Sequence, residues 1–240
     1  AALGQAPLDF WWATLAGPAG LGWVLDRGPD ARGAFLTGLV AGAGHFAVGL
    51  NWIVEPFLID IARHGWMAPF AVVLLSFGLG LFWAGAAVLG RLAARPALGF
   101  VCAFIALEWL RGVIFTGFPW AMAGHVWIGT PVDQLAALAG PSALSLLTLT
   151  LALLAKQGRG RGLALAAVLL AAAWGFGSWR LAQPLPAPRE GLVRLVQPNA
   201  EQSLKWDQAL ADMHLGRLLE LTGGGGPIGL EMAQAHRRLG

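Results

Sequence analysis

From residue 68 to residue 89 the chain runs for twenty-two positions without a single charge, and that run decides the solvent in which it folds. At 1.5 Å per residue such a helix is about 33 Å long, enough to cross a hydrocarbon core of about 30 Å. In lipid the backbone has no water to bond, so only helices or closed barrels survive. The run is continuously apolar rather than alternating, which selects the helix. Composition agrees: 57% of the 240 residues are hydrophobic and 12% charged, against about 25% charged in a soluble domain.

Five more apolar segments share the pattern, at residues 8–25, 33–53, 97–111, 134–155 and 162–181. The expected fold is an all-α polytopic membrane helix bundle of about six transmembrane helices, with Gly17-Pro18 able to kink the first. Glycine and alanine crowd the second, as where membrane helices pack closely. Short loops on one side carry Arg27, Arg32, Arg91, Arg95, Lys156, Arg159 and Arg161, whereas the other side has Arg63 and Arg111. Positive charge stays in the cytoplasm. Residues 112–133 and everything after 181 are then expected outside, in the periplasm of a Gram-negative cell whose inner membrane holds the chain.

Pro184-Leu185-Pro186-Ala187-Pro188 reads as a stiff linker. It divides a transmembrane bundle, residues 1–183, from the C-terminal part of the chain, with 184–190 as the boundary. Residues 192–197 read as a short strand and 207–221 as an amphipathic helix with Leu210, Met213, Leu218 and Leu221 on one stripe and Asp207 as N-cap. Residues 191–222 thus form a short α/β stretch, too small to close a core. Residues 223–240 are a Gly-rich tail.

The chemistry-bearing residues gather at Glu108-Trp109-Leu110-Arg111-Gly112-Val113-Ile114-Phe115-Thr116-Gly117-Phe118-Pro119-Trp120. Glu108 and Arg111 are three residues apart on one helix face, where they can pair. Gly112, Gly117 and Pro119 break the helix, and Phe115, Phe118 and Trp120 follow as anchors for a headgroup layer. One reading is a helix end with a snorkelling arginine and an aromatic belt. The other is a mouth that receives an amphiphile.

Glu-Trp-Leu-Arg-Gly followed by Phe-Thr-Gly-Phe-Pro-Trp resembles the signature of bacterial apolipoprotein N-acyltransferases. Val196-Gln197-Pro198-Asn199 through Gln202-Ser203-Leu204-Lys205-Trp206-Asp207 resembles the start of that family's periplasmic domain. The resemblance covers residues 3–222 and implies that 191–222 begins a nitrilase-like domain. Gly4-Gln5-Ala6-Pro7 is similar to the loop after the family's first transmembrane helix, so a further helix is expected upstream. Glu108, Arg111, Phe118, Pro119 and Trp120 match the membrane-side signature, and Trp206 matches a tryptophan of the family's substrate-binding region. These six are the candidate lipid- and substrate-binding residues.

Family members use a glutamate base, a lysine and a cysteine that carries the acyl chain as a thioester from phospholipid to the N-terminal amine of a diacylglyceryl-cysteine lipoprotein. The single cysteine here, Cys102, lies in an apolar helix that keeps it a thiol. Lys205 falls too early for the family's lysine, and Glu231 lacks the Trp-Pro that precedes the family's glutamate. No catalytic residue is therefore assigned. The expected role is a non-catalytic, truncated relative that binds lipid or lipoprotein, or serves as accessory subunit of a larger membrane complex; the divergent tail motivates this. The alternative is a fragment of an active acyltransferase. Neither a cofactor nor a metal is expected: the histidine in a span, His45, stands alone and reads as hydrogen-bonded to a neighbouring helix. A pI near 10 comes with a net charge of only +3 and no dense basic run, which excludes nucleic acid. Transporter, haem or quinone, and serine-protease readings lack midplane charges, facing histidines and a histidine beside Ser76, Ser142 or Ser145.

Overall fold

The computed structural model describes residues 2–5, 10–158, 160–184, 195–197, 199 and 208–223. Every regular element among them is helical. The main helices are α1 (Trp11–Asp26), α2 (Ala31–Gly49), α3 (Ala68–Leu92), α4 (Pro96–Arg111), α5 (Pro141–Lys156), α6 (Gly160–Leu181) and α7 (Gln208–Gly223). Chain contacts divide it into a unit Ala1–Pro184 and a unit Leu185–Gly240.

Among the described residues two helices are long and apolar enough to cross a membrane: Ile61–Leu92, in which short turns run into α3, and Gly160–Leu181. A third candidate is Ala31–Gly49 with Asn51–Leu58, a pair bent by 63°. Asp30 caps α2 by accepting from the Gly33 N–H at 2.7 Å, and the bend follows at Leu50. The segment 134–155, expected as one helix, is broken. Pro131–Leu135 is a 3-10 turn and Ala136–Ala139 a single helical turn; then Gly140, at φ 68°, reverses the chain before Pro141 opens α5.

Packing explains why α2 and α3 form the tightest pair. A Cβ on Gly42 would lie 2.8 Å from the Trp83 Cβ, and one on Gly38 would lie 2.7 Å from the Trp83 carbonyl, so only glycine admits this approach. Around the contact Phe46, Leu50, Trp83, Phe100, Phe104 and Leu149 form a buried core, while Val126, Trp127, Val132, Leu144, Leu151 and Ala173 form a second under α5 and α6. Arg91 Nε donates to the Pro29 carbonyl at 2.7 Å, and Lys156 pairs with Asp26. The C-terminal ends of α1, α3 and α5 therefore meet. At the opposite end the residues after α2 meet those after α4, through Trp52 edge-on to Trp120.

In the second unit α7 forms about where the periodicity placed it. Its less exposed stripe is Leu210, His214, Leu218 and Leu221, and Met213 is exposed, so His214 holds the position expected for Met213. Residues 195–197 have no regular structure; the rest of the expected strand, the linker after Pro184, Asp207 and the Gly-rich tail beyond Gly223 lie outside the described residues.

Candidate functional site

Helix α4 buries Phe100, Val101, Phe104, Glu108 and Arg111 and ends at Arg111, where the Gly112 N–H bonds back to the Glu108 and Trp109 carbonyls. The chain then turns through three consecutive residues of positive φ, Phe115 at 50°, Thr116 at 78° and Gly117 at 85°. The Phe118 N–H returns to the Arg111 carbonyl at 2.9 Å. That reversal brings the backbone of residues 118–124 back over the end of the helix that launched it.

Glu108 and Arg111 were expected to pair, and they do not; among the described residues the only ion pair is Lys156–Asp26. The returning loop offers each a closer partner. Arg111 Nη1 donates to the Phe118 carbonyl at 2.6 Å and to the Trp120 carbonyl at 2.7 Å, with its guanidinium 5.1 Å from the centre of the Phe46 ring. Glu108 Oε1 accepts from the Ala123 N–H at 3.0 Å. Its Oε2 is buried without a hydrogen-bond partner.

Three further side chains grip the same backbone. His45 Nε2 donates to the Ala121 carbonyl at 2.8 Å, because a carbonyl can only accept; this fixes the tautomer and leaves Nδ1 buried without a partner. Gln5 Nε2 donates to the Met122 carbonyl at 2.8 Å, and the Gly124 N–H donates to Ser145 Oγ at 2.9 Å. Five side chains from α2, α4, α5 and the N-terminal segment thus bond six backbone groups between 118 and 124, among them the carbonyl of the left-handed Ala121 at φ 51°. His45 in turn is stacked on Trp83 at 5.0 Å.

The result is a rigid rim with a divided set of aromatics. Phe118 packs against the core, Pro119 is exposed, Trp120 is 54% exposed and Phe115 is 93% exposed. Phe82, Trp83, Phe104, Leu107, Glu108 and Arg111 line a small cleft beside the buried end of α4. His125, further along the loop, is held below the ordinary imidazole pKa by burial and secondarily by the Arg111 charge. Trp206 lies outside the described residues, so only five of the six candidates can be placed together. Cys102 is exposed on the outer face of α4. No group of His, Cys, Asp or Glu among the described residues could hold a metal.

Gln5, His45, Ser145 and Trp52 are the contributors that motif reading did not assign to this loop. Their signal was present in one respect: a polar side chain in an apolar segment demands a partner. The sequence does not say that the partner is one loop, and Ser145 read simply as helix packing.

Residues 1–154 match the family model for the apolipoprotein N-acyltransferase N-terminal domain. The chain is 45% identical over 207 residues to an apolipoprotein N-acyltransferase of Caulobacter vibrioides, an alignment covering 80% of this chain and 39% of that protein. It is 35% identical over 244 residues to one of Brucella suis, covering 92% and 46%, and 37% identical over 233 residues to one of Rhizobium meliloti, covering 86% and 43%. It spans less than half the length of these relatives. The motif, the apolar helices and these matches agree, and the chain is a membrane protein belonging to the apolipoprotein N-acyltransferase family.

Proposed function

We propose that residues 1–184 are the lipid-handling membrane unit of apolipoprotein N-acyltransferase chemistry. The single observation that carries this is the clamp on residues 118–124: it holds Trp120, edge-on to Trp52, as a half-exposed aromatic rim. A rim of this kind suits the junction of a polar headgroup and an acyl chain. The ligands are a phospholipid or the diacylglyceryl end of a lipoprotein, with Glu108, Arg111, Phe118, Pro119 and Trp120 forming or holding the rim and Trp206 as the sixth binding residue. The unit crosses the bacterial inner membrane six times, with the rim and the C-terminal region in the periplasm.

Acyl transfer needs a thiolate beside a base, and Cys102 is on the outer, apolar face of α4. The residues of this unit therefore bind and orient the substrate and leave the covalent step to others. In one form the unit serves an accessory, non-catalytic role in a larger membrane complex. In the other it works with a catalytic nitrilase-like domain, and sequence identity that extends past residue 154 over most of the chain favours this second form. Native mass spectrometry of the protein extracted from its membrane into nanodiscs tests both points. Co-extracted phospholipid or lipoprotein is expected, and is reduced in Trp120→Ala but not in Trp109→Ala, which alters an exposed tryptophan on α4. Equal retention in both variants would sink the rim as a binding site. The intact mass and any stoichiometric partner discriminate the accessory from the acyltransferase form.

A further inference from the structure

Phe115 has the highest fractional exposure of the large apolar side chains described, 93%. Its left-handed backbone is followed by a left-handed, β-branched Thr116 and then Gly117, where side chains crowd the following carbonyl. Helices often end on one such residue, usually glycine; α4 ends at Gly112 without one, and three in a row follow at residues 115–117 with an aromatic ring exposed at the first. Along α4 the exposed positions are Leu98, Cys102, Ala106 and Trp109, continuing to Val113 beyond its end. Steps of three and four residues make this a single exposed stripe, and Phe115 stands just past it.

We propose that Phe115 is an interfacial anchor: its ring inserts at the boundary between headgroups and acyl chains beside the rim, and the strained turn serves to hold it there. The occupant of this surface is the bilayer. The surface continues the exposed stripe without interruption, its neighbours Val113, Ile114 and Thr116 carry no charge to complement a protein, and the nearby cation Arg111 is turned inward onto the Phe118 and Trp120 carbonyls. This inference rests on α4 crossing the membrane and not on what the rim binds, so it can fail or hold independently of the lipid-handling role.

The single cysteine makes the test direct. A nitroxide on native Cys102 gives the hydrocarbon reference, Cys102→Ser/Ala94→Cys gives the aqueous one, and Cys102→Ser/Phe115→Cys reports the tip, all in the full chain in nanodiscs of phosphatidylethanolamine and phosphatidylglycerol. Collision rates with oxygen and with a water-soluble nickel chelate are read by power saturation, and the unfolding temperature of each variant checks folding. The expected reading at 115 lies between the two references. Nickel accessibility equal to that at 94 puts the tip in water and overturns the proposal, as does an immobilised spectrum shielded from both reagents, which puts it against protein. Phe115→Gly relieves the backbone strain and keeps the fold. In that background a label at Val113→Cys, again on Cys102→Ser, moves toward the aqueous reading if the ring anchors the turn, and an unchanged reading overturns the proposal too.

Discussion

Arg111→Met would remove the two hydrogen bonds that hold the start of the rim while keeping most of the side chain's volume. Both bonds are charge-assisted and short, 2.6 Å to the Phe118 carbonyl and 2.7 Å to the Trp120 carbonyl, and Arg111 is 3% exposed. Hydrogen bonds to a charged group contribute about 1.5–3 kcal/mol each, and carbonyls left without a donor lose more. Water reaching the freed carbonyls offsets part of this, so a net loss of about 3 kcal/mol is expected. For a domain of this size that corresponds to roughly 6–12 °C in unfolding temperature. The assay is thermal unfolding in detergent, paired with limited proteolysis mapped to residues 112–124. Arg32→Met, an exposed arginine in the first turn of α2, is the control. Arg111→Lys should recover only part of the loss, since an ammonium lacks the planar fork. A shift for Arg111→Met no larger than the control, with the loop still protected, would refute the claim that this side chain organises the rim.

Gly42→Leu should abolish the close approach of α2 to α3, since its Cβ alone would sit 2.8 Å from that of Trp83; the yield of monodisperse protein checks this and should fall sharply, while Gly44→Leu, at an open position, should express normally. Cys102→Ser should leave lipid retention and stability unchanged, and loss of retention would contradict a non-nucleophilic Cys102. The lowered pKa of His125 means that the folded state binds fewer protons than the unfolded state as pH falls below about 6.5. Its contribution is complete above that pH and declines through the window down to the depressed folded value. Unfolding temperature measured across pH 4–8 should therefore drop on the acid side less steeply in His125→Gln than in the parent protein.

The sequence by itself determined the solvent, the helices and the family. Uncharged stretches such as 68–89 can satisfy their backbone in lipid only as helices, so α3 begins where its pattern starts and ends at Leu92, just past it. Helix α4 ends at Arg111 because Gly112 and the residues after it cannot extend it under the same cover. The match of Glu108 through Trp120 to a family signature likewise needed no coordinates. Periodicity could not reveal the break inside residues 134–155, because an apolar run looks the same whether or not Gly140 takes a positive φ within it. Nor could spacing tell that Glu108 and Arg111 form no direct ion pair and bond to the loop instead. An i, i+3 separation fixes how near two Cβ atoms lie, not where the side chains find their best partners. That choice depends on where the loop returns, and the return is fixed by residues remote in sequence: His45, 76 positions before Ala121, and Gln5, 117 positions before Met122. Tertiary structure alone decided the rim, because buried backbone groups in an apolar setting must be satisfied by whichever polar side chains the packed helices bring to them.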